Sequence, residues 1–199
     1  MTKNQPQAIV VHHTAVSRSK NQNQFAAVKK YHIEQGWGDI GYHYFIEVDG
    51  TLKPGRTEET VGTHCKEEDM NFKSVGICLT GFFDTEDPTA EQLATLTKLI
   101  GEIRTKYKIP ADKVYPHRKF ASYKSCPGTR FTDELLAKVA NTKEVETAKK
   151  APACDIPEWS REAVAWAAKA NIITKATGEP ISDYRLAVIL KNFADSMKS

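Results

Sequence analysis

Three side chains that lie far apart in the sequence are suited to binding one metal ion. His12 follows the apolar residues of AIVVHH, His117 stands in VYPHRK, and Cys126 stands in YKSCPG. Two imidazoles and one thiolate suit a tetrahedral zinc ion that keeps its fourth position open for water. An open position is typical of a catalytic zinc ion rather than a structural one. If the three side chains converge, the sequence predicts a metal hydrolase.

Two further side chains can assist hydrolysis at such a site. Lys124 lies two residues before Cys126, a spacing that directs both side chains of an extended chain to one face. Its ammonium group can stabilise the oxyanion of a tetrahedral intermediate. Tyr42 opens a predicted strand and carries a phenol that can hydrogen-bond water or an oxyanion. Together these residues indicate an acyl-transfer site.

Neighbouring residues compete for two of these assignments. Successive side chains of a strand point to opposite faces, so His13 is predicted to face away from His12. The same alternation directs His43 away from Tyr42. Tyr44 shares a face with Tyr42 and stays an alternative to it.

Short apolar runs predict the strands that position these side chains. Residues 8–12 and 74–81 are apolar nearly throughout, which is typical of buried strands. Residues 41–48 and 51–54 flank the dipeptide Asp49-Gly50, a strong signal for a β-hairpin. The sequence therefore predicts a sheet that contains a hairpin.

Helical patterns alternate with these strands. Helices are predicted over 21–35, from a capping box at Thr89 to Pro110, and from Phe131 to about Val139. Alternating helices and strands predict an α/β domain with a mixed central β-sheet flanked by helices.

Composition limits the classes of function. The chain has 199 residues, 40% of them hydrophobic and 27% charged, as expected of a globular protein. The net charge of +3 is too small to indicate nucleic-acid binding, although it mildly favours an anionic polymer such as a cell-wall glycan. No apolar run approaches the roughly 20 residues of a membrane span, so no membrane insertion is predicted. The four cysteines do not predict a disulfide framework.

The chain is predicted to have three parts. Residues 1–140 form the catalytic domain, residues 141–153 are a charged linker that contains Pro152, and residues 154–199 form a small helical domain. The first residues lack the apolar segment of a signal peptide, which predicts synthesis in a cytoplasm. The patterns leave the oligomeric state open.

Several motifs occur together in a recognisable order. IVVHHTA, GWGDIGYHYFIEVDGTLKPGR, VGTH, N-x-x-SVGICLTG and H-x8-CPG follow one another at suitable spacing. Over about residues 7–140 the chain resembles the zinc amidases of the phage-lysozyme and peptidoglycan-recognition-protein family. The resemblance implies the fold of this family and N-acetylmuramoyl-L-alanine amidase activity on peptidoglycan. It also implies one catalytic zinc ion on His12, His117 and Cys126.

The same resemblance implies roles for other residues. Tyr42 and Lys124 correspond to catalytic assistants. His64 and Asn71 fall where family members contact the muramyl-peptide, and Arg56 corresponds to a family arginine that follows the hairpin.

The resemblance also implies a biological role, that of a bacteriolytic phage endolysin. Such an enzyme is made in the host cytoplasm and degrades the cell wall after the membrane is permeabilised. The segment 154–199 resembles a shortened wall-anchoring module, which implies cell-wall binding as one role; docking on the main domain and pairing with a second copy or a partner stay open as alternatives. Two alternatives remain: a non-catalytic peptidoglycan-binding module, and a cytoplasmic amidase that recycles muropeptides.

Overall fold

The structure is a computed structural model that describes residues 3–20 and 23–142. Within these residues, five strands form one sheet in the order β3-β2-β4-β1-β5. The strands are β1 (Ala8–His13), β2 (Tyr44–Ile46), β3 (Leu52–Pro54), β4 (Ser74–Leu79) and β5 (Val114–Pro116). Strands β2, β4, β1 and β5 run parallel, and β3 pairs antiparallel with β2. The mixed sheet confirms the predicted α/β class and the hairpin.

Helices cover both faces of the sheet. They are α1 (Phe25–Glu34), α2 (Met70–Lys73), α3 (Ala90–Tyr107) and α4 (Asp133–Asn141). Helix α1 packs Phe25 and Val28 against one face, while α3 and α4 join the larger core on the other. Every residue of β1 and β4 is buried, which explains why both strands read as unbroken apolar runs.

Threonine side chains cap the N-termini of α3 and α4. The Thr89 hydroxyl accepts a hydrogen bond from the Gln92 N–H at 3.1 Å, and Gln92 Oε1 accepts one from the Thr89 N–H at 3.1 Å. This reciprocal pair is the predicted capping box. Helix α4 begins two residues later than predicted because the Thr132 hydroxyl accepts from the Leu135 N–H at 3.2 Å. Left-handed Lys108, with φ of 56°, ends α3.

The predicted strand over 41–48 was wrong in length. Regular strand structure is confined to Tyr44–Ile46. The main chain bends at 41–43, although it keeps hydrogen bonds to residues 55 and 56. Tyr42 therefore stands in the bend before β2 rather than at the start of a strand.

A buried carboxylate that the sequence patterns did not reveal caps α1. Glu47 is 2% exposed and lies at the end of β2. Its carboxylate accepts hydrogen bonds from the N–H groups of Gln24 at 3.0 Å and Phe25 at 2.8 Å. It also accepts one from the Thr80 hydroxyl at 2.5 Å. A negative charge at a helix N-terminus is stabilising, so Glu47 ties α1 to the sheet.

Glu58 joins β2 to α3 at the far edge of the core and is expected to make stability depend on pH. It accepts hydrogen bonds from the hydroxyls of Tyr44 and Tyr107, each at 2.7 Å, and pairs with Lys106. Burial alone would raise the pKa of Glu58, but the hydrogen bonds from Lys106 and the two tyrosines outweigh it and hold the pKa below its ordinary value. A carboxyl group with a lowered pKa stabilises the fold above its unfolded pKa, and this stability is lost as pH falls through the folded pKa.

We therefore expect Glu58→Gln to lower the free energy of unfolding by about 1–3 kcal/mol at neutral pH. The difference from the wild type should shrink as urea titrations move from about pH 7 to about pH 3. The exposed neighbour Glu59 provides the matched control, Glu59→Gln. A difference that does not change over this range would contradict the role of the ionised carboxylate.

Part of the predicted organisation lies outside the described residues. This applies to the helical segment 154–199 and to all but the first two residues of the linker 141–153. The three-part division and the wall-binding role of the last segment therefore stay predictions. In the described ranges, no helix combines the length and apolar character needed to cross a membrane.

Candidate metal centre and active site

The structure brings the three predicted metal ligands together at the carboxyl ends of two neighbouring strands. His12 is the penultimate residue of β1, and His117 directly follows β5. One ligand atom from each of His12, His117 and Cys126 lies within 4.8 Å of the others, and Cys126 Sγ is 3.8 Å from His12 Nδ1. These separations suit one tetrahedral ion with ligand bonds of about 2.0–2.3 Å.

Strand alternation separates His12 from its neighbour. His12 Nδ1 faces Cys126 Sγ, whereas His13, which also lines the cleft around the trio, turns its ring toward the segment after β4. There His13 Nδ1 accepts a hydrogen bond from the Phe83 N–H at 3.1 Å, and its ring packs against those of Phe82 and Phe83. The geometry therefore favours His12 as the ligand.

The turn that carries Cys126 is held by the segment after β4. Asp84 accepts hydrogen bonds from the Ser125 hydroxyl at 2.7 Å and from the Thr129 N–H at 2.8 Å. The Phe83 carbonyl accepts one from the N–H of residue 130 at 2.8 Å. Through these bonds, residues 83 and 84 fix the position of the thiol relative to β1.

Burial keeps both imidazoles in the form that binds metals. It lowers the pKa of His12 well below its ordinary value, and repulsion between the two rings when both are protonated adds to this effect. Burial, followed by the nearby charge of Lys124, lowers the pKa of His117 to about 4. Burial raises the pKa of Cys126 to about 11, so its thiolate needs a cation beside it. The donor set is therefore a neutral one that fits zinc and becomes anionic on binding it.

His64 is next to His12, on the side of the His12 ring that does not face Cys126. His64 Nδ1 is 3.1 Å from His12 Nε2, the nitrogen of His12 that does not face Cys126. The His64 ring rests on two glycines, and a Cβ atom at Gly62 or Gly76 would lie 2.5 Å from its Cδ2. Side chains at these positions would displace the ring, so the two glycines make room for the His12–His64 pair.

Arg56 and Asn71, the other two predicted substrate contacts, hold loops. The Arg56 guanidinium donates hydrogen bonds of 2.7–2.8 Å to three carbonyl groups, those of Trp37, Ile40 and Val61. Asn71 Oδ1 accepts hydrogen bonds from the N–H groups of residues 64 and 65 at 2.7 and 2.8 Å. Among the described residues that line the cleft, His64 is present but Arg56 and Asn71 are not. Direct contact of these two with a muramyl-peptide stays a prediction that this geometry does not support.

Tyr42 and Lys124 both line the cleft around the trio of predicted metal ligands, His12, His117 and Cys126. The Tyr42 ring centroid is 5.2 Å from that of His12. Burial raises the pKa of Tyr42 well above its ordinary value, so the phenol keeps its proton and acts as a hydrogen-bond donor. Lys124 is exposed, with Nζ 5.5 Å from the Tyr123 ring centroid. The cleft has a volume of about 470 Å³, within the range of sites for small ligands.

The two rivals of Tyr42 are engaged elsewhere. His43 Nδ1 accepts a hydrogen bond from the Gly76 N–H at 2.9 Å, and its Nε2 lies 3.0 Å from the Thr60 carbonyl oxygen. The Tyr44 hydroxyl donates to Glu58, and its ring packs against the larger core. Tyr42 is therefore the residue of the three that faces the cleft.

Sequence reasoning missed two residues beside the trio, Glu67 and Tyr123. The Tyr123 hydroxyl donates a hydrogen bond to Glu67 Oε1 at 2.7 Å. This bond is the main reason that the pKa of Glu67 lies below its ordinary value. Glu67 stands in the charged run KEED, which is typical of a solvated loop and gave no signal of a site.

Comparisons with known proteins agree with this geometry. Residues 2–129 match the family model described as N-acetylmuramoyl-L-alanine amidase. The endolysin of Enterobacteria phage K11 is 34% identical over 131 residues, which cover 63% of this chain and 83% of the endolysin.

Solved structures show the same likeness. N-acetylmuramoyl-L-alanine amidase LysC from Clostridium intestinale URNW is 33% identical with a TM-score of 0.60, over 68% of this chain and 86% of LysC. Drosophila PGRP-LB is 31% identical with a TM-score of 0.57, over 70% and 82% of the two chains. The matched family model spans more than half of the sequence and contains the whole trio, so this chain belongs to the N-acetylmuramoyl-L-alanine amidase family.

Proposed function

We propose that this amidase depends on zinc and hydrolyses the amide bond between N-acetylmuramic acid and L-alanine in peptidoglycan. The observation that carries the proposal is the convergence of His12, His117 and Cys126, with ligand atoms within 4.8 Å of one another. Their mixture of two imidazoles and one thiol matches the preferences of zinc and leaves one position open. When bound, zinc supplies Lewis acidity and lowers the pKa of a coordinated water toward about 7.

Two residues are proposed to act on the reacting groups. Tyr42, which keeps its proton, donates a hydrogen bond that orients the attacking water or the carbonyl oxygen. Lys124 places its ammonium group at the mouth of the cleft, where it stabilises the negative charge that develops on that oxygen.

Three residues are proposed to support binding. His64 lines the cleft and touches His12, so it can contact the muramyl-peptide and also orient the metal ligand. Asn71 would act through the loop that carries His64. Arg56 would act through the loops that it holds around Trp37.

We propose a bacteriolytic role for the enzyme, because a phage endolysin is among its relatives. It would be made in the host cytoplasm and reach the wall after the membrane is permeabilised, with residues 154–199 as a wall-binding segment. Similarity to Drosophila PGRP-LB supports a second candidate, recognition of peptidoglycan without cleavage. A muropeptide-recycling amidase would use the same chemistry on small soluble fragments.

Digestion of purified peptidoglycan, with and without a zinc chelator, tests the proposal. We expect new N-terminal alanine without new reducing sugar, lost with the chelator and restored by zinc. Bound sacculi without new ends would contradict the amidase proposal and favour recognition. Faster cleavage of soluble muropeptides than of intact sacculi would favour recycling over lysis.

A further inference from the structure

The buried ring nitrogen Nε2 of His117 has no hydrogen-bond partner among the three predicted metal ligands. The His117 side chain is almost fully buried, and Nε2 has no hydrogen-bond partner among the residues that the structure describes. By contrast, His64 Nδ1 lies 3.1 Å from Nε2 of His12. Histidines that bind metals usually donate their second N–H to a carboxylate, a carbonyl or water. A partner for His117 Nε2 is therefore expected nearby.

Glu67 offers the carboxylate that this nitrogen lacks. Glu67 Oε2 lies 3.9 Å from His117 Nε2. This gap exceeds a hydrogen bond by about 1 Å, which falls within the freedom of the last torsion of a glutamate. The other oxygen, Oε1, is held by the Tyr123 hydroxyl at 2.7 Å. Oε2 is therefore the oxygen left to face His117, and the Cys65 Sγ lies 3.7 Å from the same oxygen.

The backbone beside Glu67 has an unusual conformation. Glu68 and Asp69 have φ values of 50° and 58°, so two consecutive residues other than glycine are left-handed. Such conformations are sparsely populated and cluster at functional sites. This bend lies between Glu67 and the start of α2. Strained backbone at this point agrees with a functional role for the Glu67 carboxylate.

We propose that Glu67, anchored by Tyr123, is a positioning residue that orients His117 as a zinc ligand. The inference rests on the proposed zinc-dependent function. Glu67 accepts a hydrogen bond from the Nε2–H of His117, which leaves Nδ1 for the ion. The carboxylate also balances the +1 charge of a zinc ion with one thiolate, so it strengthens metal binding. His64 provides the equivalent support for His12 without a charge.

Zinc affinity, measured by competition with a chelator, tests this role. We expect Glu67→Ala to weaken zinc binding by about 10–100-fold. Glu67→Gln, which keeps an acceptor oxygen but loses the charge, should fall between Glu67→Ala and the wild type, and Tyr123→Phe should have a smaller effect. Glu68→Gln is the matched control, since Glu68 is an exposed neighbour of the same charge. Its affinity should equal that of the wild type.

A spectroscopic measurement separates positioning from general damage to the fold. In the zinc-loaded wild type, proton NMR should show a slowly exchanging imidazole N–H from His117, which Glu67→Ala removes or shifts. Wild-type affinity and an unchanged resonance in the Glu67 variants would overturn the inference. So would a second zinc ion per chain that is lost in Cys65→Ser, because Cys65, Glu67 and His117 would then form a cation site of their own. A wild-type protein that binds no zinc would instead refute the proposed function.

Discussion

Replacing Cys126 with alanine is expected to abolish zinc retention and reduce amidase activity to background. Cys126 is the member of the trio that becomes anionic on binding the ion, with Sγ 3.8 Å from His12 Nδ1. Without the thiolate, two imidazoles alone must hold the ion. Cys126 belongs to none of the hydrophobic clusters, so the fold should persist. The metal content of the purified protein, its far-UV circular dichroism and its release of N-terminal alanine from peptidoglycan together check this expectation.

Cys65→Ser is the matched control for this experiment. Cys65 is the cysteine of the second group of potential ligands around His117, together with Glu67. Burial raises the pKa of the Cys65 thiol to about 12, which disfavours its thiolate. We expect this variant to retain zinc and activity. Loss of zinc in Cys65→Ser, with retention in Cys126→Ala, would show that the ligands are assigned to the wrong group.

Replacing Lys124 with alanine is expected to leave zinc bound while kcat falls by about 100–1,000-fold, the usual effect of removing one group that stabilises an oxyanion. Lys124 lines the cleft but is exposed, so its loss should cost the fold little. Because the developing negative charge exists only in the transition state, KM should change much less than kcat. Steady-state kinetics on a soluble muramyl-peptide, with zinc content measured in parallel, provide the test.

Lys119→Ala controls for the removal of one positive charge from the same region. Lys119 is exposed and lies between His117 and Lys124 in the sequence. Its kinetics should match those of the wild type. A Lys124→Ala variant with a raised KM and unchanged kcat would show instead that the lysine binds substrate and transition state equally.

The orientation of His12 could be predicted from sequence because a local rule decides it, whereas its role as a metal ligand stays a prediction. Period-two alternation is robust in a buried strand, and the His13 ring lies against Phe83 while the His12 ring lies beside Cys126. The hairpin at Asp49-Gly50 and the capping box at Thr89 also depend on neighbouring residues, and both were confirmed. Fold class followed from the same local patterns.

The residues that sequence reasoning missed depend on contacts between distant segments. Glu47 caps a helix that begins 22 residues earlier, and Glu58 pairs with Lys106, 48 residues away. Glu67 meets Tyr123 across 56 residues. In the sequence each is one charged residue among many, and only packing decides which are buried and paired. Arg56 is the reverse case, because the family motif marks its position but does not reveal the carbonyl groups that its guanidinium contacts, and its contact with a muramyl-peptide stays a prediction.

Residues 83 and 84 have a consequence for any attempt to build chimaeras from relatives of this enzyme. Phe83 contacts His13, the neighbour of one ligand, while Asp84 fastens the turn of another, Cys126. Neither residue belongs to the trio found among the described residues. A donor segment covering 125–130 alone would bring a cysteine without its anchor. Exchanges should therefore move 81–84 and 125–130 as one unit, because residues 83 and 84 hold the turn that carries the Cys126 thiol.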